Sequence, residues 1–324
     1  MLAEIGAGLA RPQKELPSKL FYDERGSELF EDITRQPEYY LTGAELALLR
    51  EHIPRWIAEQ RPRALVELGA GSASKTRVIL DALCAHGGGT YVPVDISADF
   101  LARTAAELRR DYPGLEVLPV AEDFTHSVYL PASLPRPALL TFLGSTIGNF
   151  TEAAAVKLLR QVQTAMQPGD CFLLGVDLRK NRAVLEAAYN DRRGVTAAFN
   201  LNLLRVVNRR VGADFDPAAF RHRAFYEARR HRIEMHLVST RPQVVRVPGA
   251  GEFAFRDGET IRTEISCKYD KQSIEAILAA ADLDLMEWQA GADERFGLAL
   301  IARPFTHDDG ATRQSSPLSS SVTM

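Results

Sequence analysis

Two glycines at the end of one apolar strand, and a carboxylate at the end of each of the next two, are the first residues here whose types and spacing suggest chemistry. In "ELGAGSASKTRVILDAL" (67–83) a strand turns into a helix at Gly69 and Gly71. These fill the first two places of G-x-G-x-x-G, but Ser74 stands in the third, so the dinucleotide fingerprint is incomplete. Asp95 follows Gly71 by 24 residues and ends the second strand, where a carboxylate can accept both ribose hydroxyls of an adenosine cofactor. Asp123, in "AEDF", closes the third strand, where it can meet the exocyclic amine of adenine while Phe124 lies against the ring. Lys75, in the first helical turn, can offer a cation to a cofactor carboxylate. Each position also has a plainer reading: a tight turn for the glycines, helix caps for the aspartates, a solvated side chain for the lysine. Gly69, Gly71, Asp95 and Asp123 nonetheless share one rim of an α/β sheet, at the carboxyl ends of its strands, and together they favour a cofactor.

The elements that must position these residues alternate. "ALVELG" (64–69), "TYVPVDIS" (90–97), "LEVLPVAEDF" (115–124), "ALLTFLGSTIGNF" (138–150) and "DCFLLGVDL" (170–178) read as strands. Helices at 75–85, 99–112 and 152–166 lie among them, which implies right-handed crossovers and a parallel sheet covered on both faces. The helix end, Pro-Gly turn and strand of "MQPGDCFLLGVD" (166–177) are common before the fifth strand of methyltransferases that use S-adenosylmethionine. Residues 1–19 read as irregular. Residues 20–57 read as helical, with Thr42 and Glu45 at capping-box spacing. After Tyr189 the rhythm changes to a helix (194–211), antiparallel strands from "YEARRHRIEMHLVS" to "RTEISCKYD", a helix (271–283) and a closing hairpin (283–304). The Ser-rich end, 305–324, reads as a disordered tail.

Bulk properties exclude several classes. With 46% hydrophobic and 25% charged residues the chain is an ordinary soluble globular protein, and a net charge of −3 gives no general attraction for nucleic acid or anionic membrane. Cys84, Cys171 and Cys267 form no C-x-x-C, and the seven histidines show no ligand spacing, so neither a disulfide framework nor a metal is expected. The N-terminus lacks a signal-peptide pattern, and no apolar run approaches ~18 residues, which points to the cytoplasm. "RHRAFYEARRHR" (221–232) carries five arginines and two aromatics that could track a phosphate backbone. It is one local run, however, and strand four ends in "GNF" rather than the Asn/Asp-Pro-Pro-Tyr of many nucleic-acid amino-methylating enzymes. A nicotinamide-dependent oxidoreductase would prefer the missing third glycine. A non-catalytic binding module would need no residue to position an amine.

From about Leu16 to Pro304 the sequence resembles the histidine N-alpha-methyltransferases of ergothioneine biosynthesis. The resemblance rests on "KLFYDERGSELFEDITRQPEYYLT" (19–42), "ELGAGSASKTR" (67–77), "FLGSTIGNF" (142–150), "GVTAAFNLNLLRVVNR" (194–209), "RIEMHL" (232–237) and "RTEISCKY" (262–269). It implies a Rossmann-like class I methyltransferase core (56–188 and 270–304) with an inserted α+β substrate lobe (1–55 and 189–269). It also implies three methyl transfers from S-adenosylmethionine to the alpha-amine of L-histidine, giving hercynine, by an enzyme expected to act as a monomer. Gly69, Lys75, Asp95, Asp123 and Phe124 match the family's cofactor contacts. Tyr39, Asn149, Tyr189, Glu264 and Ser266 match its histidine contacts, with Met235 beside them. Tyr22 matches a tyrosine near the substrate amine and Gly144 a backbone carbonyl near it, so Tyr22 and Asn149 are the catalytic candidates. Ala70 and Ala73 depart from the polar residues more common in the loop, and Leu41 from a proline.

The acceptor side is chemically coherent beside that resemblance. Asn149, at the tip of the fourth strand, can hold a carboxylate or amine near the methyl, and Tyr189 can add an O–H to the carboxylate. Glu264 and Ser266 are two apart and on a strand share a face. There a carboxylate accepts an imidazole N–H, while a hydroxyl serves either tautomer. Taken singly, Asn149 also reads as a helix cap, Tyr39 and Tyr40 as core aromatics, Met235 as packing, and Glu264 with Ser266 as an exposed strand face.

Overall fold

The computed structural model describes residues 1–304 apart from Ser72 and Ser74. The serine in the third glycine's place and the tail from 305 therefore lie outside the described residues. The chain opens with α1 (Leu2–Leu9), β1 (Lys14–Glu15), α2 (Glu24–Thr34) and α3 (Leu41–Gln60). The alternating region follows: β2 (Ala64–Leu68), α4 (Thr76–Ala85), β3 (Gly89–Asp95), α5 (Ala98–Asp111), β4 (Leu115–Val117), β5 (Val120–Ala121), β6 (Ala138–Phe142), α6 (Glu152–Ala165) and β7 (Cys171–Asp177). Next come α7 (Arg182–Ala188), α8 (Val195–Val211), β8 (Phe220–Glu227), β9 (Arg232–Ser239), β10 (Gln243–Val247), β11 (Gly251–Phe255) and β12 (Thr260–Cys267). The described chain closes with α9 (Lys271–Ala279), β13 (Asp284–Ala290) and β14 (Phe296–Ala302).

The main sheet runs β13-β14-β7-β6-β2-β3-β4, with β5 also on β3. From β7 to β4 all pairings are parallel, and β14 returns antiparallel to β7. Every residue of β2, β6 and β7 is buried, as helices on both faces require. The chain steps from β2 outward to β3 and β4, then crosses back to β6. That reversal opens a crevice at the carboxyl ends of β2 and β6, where α/β sheets take ligands.

A second sheet, β1-β12-β9-β8, packs with α1, α2 and α8 around its own apolar cluster, which runs from Ile5 through Phe199 and Leu203 to Ile261. α3 belongs to both bodies: Leu41 packs in this cluster, whereas Leu48 to Ile57 pack on the main sheet. The expected boundary at 55 therefore falls inside a continuous helix.

Several local expectations are corrected. Residues 2–9 are helical although two glycines weaken that propensity, because the glycines allow close approach. A Cβ on Gly6 would lie 2.9 Å from Ala250, and one on Gly8 2.5 Å from the Glu15 carbonyl. Thr42 and Glu45 form no capping box, since α3 starts at Leu41 and Glu45 turns inward. The stretch 115–124 breaks into β4 and β5, and Asp123 follows them in a turn. "YEARRHRIEMHLVS" holds the end of β8, a turn at His231 with φ 47°, and β9, in keeping with the antiparallel strands and turns expected there. Arg221 and Arg223 of the basic run 221–232 are exposed along edge strand β8, where charge blocks further strand pairing.

Candidate active site

A cavity of ≈ 470 Å³ opens over the crevice, and Gly69, Lys75, Asp95, Asp123 and Phe124 all line it. Gly69 (φ 69°) and Gly71 (φ 49°) turn the chain in a backbone region that side chains disfavour. Asp95 is pinned across that turn: it accepts the Gly71 N–H at 3.2 Å and the Ser97 N–H at 3.0 Å. Its carboxylate keeps lone pairs toward the cavity. Burial opposes the charge of Asp123, but the Thr125 hydroxyl (2.5 Å) and N–H (3.1 Å) hold its pKa below the usual carboxylate range. Phe124 packs edge-on to Phe142 at 5.4 Å, beside Gly69. A φ-positive glycine turn, a rim carboxylate, an ionised acceptor beside an aromatic ring and a cation fit the parts of S-adenosylmethionine.

Lys75 is not a freely solvated side chain but is held in an ion pair. Its ammonium meets the fully buried Glu45 at 2.5 Å, and the other Glu45 oxygen accepts the Gly144 N–H at 2.7 Å. Gly175 makes room for this carboxylate in the middle of β7, since a Cβ there would lie 2.2 Å from Glu45 Oε1. Glu45 was missed in the sequence because its spacing from Thr42 imitates a cap. Its position on the inward face of an amphipathic helix is the signal that was available.

A smaller inner cavity of ≈ 60 Å³ adjoins the first, and Tyr22, Tyr39, Gly144 and Asn149 line both. Tyr189, Met235, Glu264 and Ser266 line the inner one. The structure thus brings every expected acceptor-side residue to one place. Asn149 arrives by a different route from the one expected. It lies seven residues past β6, in the 3-10 turn Thr146–Asn149, and Thr151 rather than Asn149 caps α6. Gly144 (φ 75°) and Ser145 (φ 58°) turn the chain into that segment. A Cβ on Gly148 would lie 2.9 Å from the Cys267 carbonyl, so the turn rests directly on the strand bearing Glu264 and Ser266.

In β12 a bulge between Arg262 and Glu264 re-aims the strand and sets Glu264 opposite Met235 of β9. Burial pushes the Glu264 carboxyl up to about 7, against the pull of Lys268, and among the described residues no side chain hydrogen-bonds it. Tyr22 is 36% exposed where it lines the cavities, but desolvation by the walls around it, with Glu264 and Asp95 nearby, raises its pKa, so it is a neutral phenol rather than a base. Tyr22, Phe30, Tyr39 and Phe199 form an aromatic wall with centroids 5.9–6.3 Å apart. Tyr189, expected at the carboxylate end of a substrate, lies 2.8 Å from Ser266, expected at its ring end. Behind them stands Lys268, which sequence reading passed over. It pairs with Asp177 at 2.7 Å with both side chains fully buried.

Comparison with known proteins gives the family and the fold. A family described as histidine-specific, SAM-dependent methyltransferase matches residues 1–303. A histidine N-alpha-methyltransferase of Mycobacterium tuberculosis is 44% identical over 304 residues, covering 93% of this chain and 94% of that protein. Ergothioneine biosynthesis protein 1 of Neurospora crassa is 31% identical across 90% of this chain, which spans 33% of that longer protein. A solved S-adenosylmethionine-dependent methyltransferase from Clostridium acetobutylicum aligns with a TM-score of 0.50 at 14% identity, over 85% of this chain and 98% of that one. At that identity the likeness is one of fold.

Proposed function

The chain belongs to the family of histidine-specific, S-adenosylmethionine-dependent methyltransferases, and from that premise we propose how its two adjoining cavities divide the reaction. It is an enzyme of ergothioneine biosynthesis that methylates L-histidine on the alpha-amine, with S-adenosylmethionine as donor. The cofactor supplies a methyl group already activated on a sulfonium, so the protein's main task is alignment. The outer cavity holds the cofactor: Asp95 grips the ribose, Asp123 and Phe124 take the adenine, and Lys75 faces the carboxylate while Glu45 steadies it.

The inner cavity holds histidine. Asn149, at the boundary of the two spaces, orients the amine or carboxylate, and the Gly144 backbone lies beside it. Glu264 accepts an imidazole N–H, Ser266 meets the other ring nitrogen, and Met235 packs opposite Glu264. Tyr22 and Tyr39 face the reacting amine as neutral phenols. Three transfers are the extent of the reaction in this reading: each time the amine releases a proton to solvent to free its lone pair, the methyl moves to nitrogen as the sulfonium becomes a thioether, and the third transfer leaves a quaternary ammonium with no N–H to release. An aromatic wall suits such a cation at every stage. The observation that carries the reading is that Tyr22, Tyr39, Gly144 and Asn149 line both cavities, so a donor in one meets an amine in the other.

Residues 1–55 with 189–269 act as the substrate lobe in this reading, and 56–188 with 270–304 as the core. The separate apolar cluster of the second sheet supports a second body, with α3 shared between the two: Leu41 packs in that cluster and Leu48 to Ile57 on the core. Action as a monomer belongs to the same reading. All three cysteines are free, and no helix among the described residues is long and apolar enough to cross a membrane. A cytoplasmic setting, with a small-molecule substrate and no nucleic-acid or membrane partner, belongs to the same reading. Among the described residues no His, Cys, Asp or Glu group could hold a metal ion. The test is a panel of amino acids incubated with S-adenosylmethionine and read by mass spectrometry. Histidine should gain three methyl groups while the others stay near background. A faster reaction with another amino acid would sink the reading.

A further inference from the structure

Lys268 follows β12 at the junction of the two sheets, and its ammonium has three N–H bonds to place. One goes to Asp177 (2.7 Å), one to Ser266 Oγ (2.9 Å) and one to Tyr189 Oη (3.1 Å), so all three are committed inside the protein. Asp177 is itself held by Tyr40 at 2.8 Å and Lys180 at 2.5 Å, which fixes the pair in place. Burial opposes the charge on Lys268, but Asp177 outweighs it and keeps the residue a cation.

The two hydroxyls also share a proton across 2.8 Å. A phenol is the better donor of the two and an alcohol the better acceptor. An ammonium against the phenol oxygen strengthens that polarity. Tyr189 therefore donates to Ser266. Ser266 then accepts twice, from Lys268 and from Tyr189, and both its lone pairs are used. What it retains is its own O–H, at the wall of the inner cavity.

We propose that Lys268 is a positioning residue that fixes Ser266 as an obligate donor, so that the site takes imidazole in its neutral form, with the bare nitrogen on Ser266 and the N–H on Glu264. This rests on the assignment of Glu264 and Ser266 as the ring-reading pair. A serine with a free lone pair would serve either tautomer or an imidazolium. Here an imidazolium would press an N–H against an oxygen with no acceptor site left.

Two measurements test it. Ring-15N-labelled L-histidine, bound with S-adenosylhomocysteine at pH 7, should show one protonated and one bare ring nitrogen by NMR; two protonated nitrogens would overturn the proposal. The second compares histidine with pyrrol-2-yl- and pyrrol-3-yl-alanine, which keep an N–H but lack a bare nitrogen. Wild type should prefer histidine by roughly tenfold or more in kcat/KM, as sites built to hydrogen-bond a missing group do. Lys268→Met/Asp177→Asn removes the Lys268–Asp177 pair together, leaving Lys180 to face an amide, and should lose most of that preference through a raised KM for histidine. Its kcat and its calorimetric affinity for S-adenosylhomocysteine should change little. Lys268→Arg, which keeps a charged donor, should retain the preference. A folded double variant with wild-type preference overturns the role of Lys268. A wild type indifferent to the pyrroles overturns instead the ring-reading assignment beneath it. The NMR arm needs no variant, so a variant that fails to fold leaves the proposal open to refutation.

Discussion

Glu45 and Lys75, thirty residues apart in the chain, meet at 2.5 Å beneath the cofactor cavity, and the same carboxylate holds the Gly144 N–H at 2.7 Å. One buried side chain from a helix outside the alternating core thus ties the start of α4 to the turn that leads to Asn149. Glu45→Ala would strand an ammonium and a backbone donor together. The expected loss of stability is about 3 kcal/mol. Lys75→Met should also destabilise, by leaving the carboxylate unpaired, and the double variant should lose less than the sum. A double-mutant cycle by urea denaturation checks this, and strict additivity would remove the coupling.

Gly175 makes the same carboxylate possible from the opposite side. A Cβ there would sit 2.2 Å from Glu45 Oε1 and 3.2 Å from the Phe296 ring, in a strand buried along its whole length. Gly175→Ala should therefore cost about 1–3 kcal/mol, as overpacking of a tight core does. It should also weaken cofactor binding, because Glu45 must move. Thermal unfolding with and without S-adenosylhomocysteine separates the two effects. An unchanged melting temperature would show that the carboxylate has another place to go.

Asp95 is the rim residue proposed to grip the ribose. Its substitution by alanine should weaken S-adenosylhomocysteine binding by roughly 1–3 kcal/mol, the worth of a hydrogen bond to a charged group. Because Asp95 also holds the Gly71 and Ser97 N–H groups, Asp95→Asn should lie between wild type and alanine. Calorimetry that gives equal affinities for all three would take Asp95 out of the site.

The stability of the ligand-free enzyme should depend on pH through Glu264. Burial raises its pKa from 4.5 to about 7. A raised carboxyl pKa means that the fold favours the protonated form. Its contribution is whole below pH 4.5 and is lost as pH rises through 7. Glu264→Gln should therefore stabilise the enzyme relative to wild type more at pH 8 than at pH 5, by about 2 kcal/mol. Glu67, which burial also raises to about 7, is common to both proteins and cancels. Melting temperatures at the two pH values decide it, and an equal difference at both would show that Glu264 ionises freely.

The difference between what could be read from the chain and what could not is one of range. Gly69, Gly71 and Asp95 were legible because strand, turn and helix are consecutive, and because parallel strands bring their carboxyl ends to one rim. The alternation of β2 to β7 was legible for the same reason. Glu45 was misread, since a three-residue spacing looks the same whether the carboxylate caps its own helix or reaches a lysine thirty residues away. Asn149 was placed on a strand tip because "FLGSTIGNF" is apolar enough to read as extended, whereas Gly144 and Ser145 in left-handed conformations end the strand early. Lys268 and Asp177 stand 91 residues apart on different sheets. Nothing local marks a lysine in "SCKYD" as buried.

The last prediction is substrate choice, which turns on the same carboxylate as the pH effect but with ligand present. Glu264 lines the inner cavity, and among the described residues no side chain hydrogen-bonds it. An imidazole N–H supplies a partner. An apolar side chain would instead press against a desolvated carboxyl group and leave it unpaired, which is a strong basis for rejection. L-histidine should therefore react far faster than L-phenylalanine or L-leucine. Glu264→Ala removes both the attraction and the penalty, so it should lower the rate with histidine and raise the relative rate with phenylalanine and tryptophan. Asn149 lines both cavities, where the groups common to all amino acids must lie, so Asn149→Ala should depress turnover of every substrate by a similar factor. Initial rates with histidine, tryptophan and phenylalanine for the two variants separate ring reading from amine positioning. If Glu264→Ala keeps the wild-type order of preference, the specificity of the site does not come from β12.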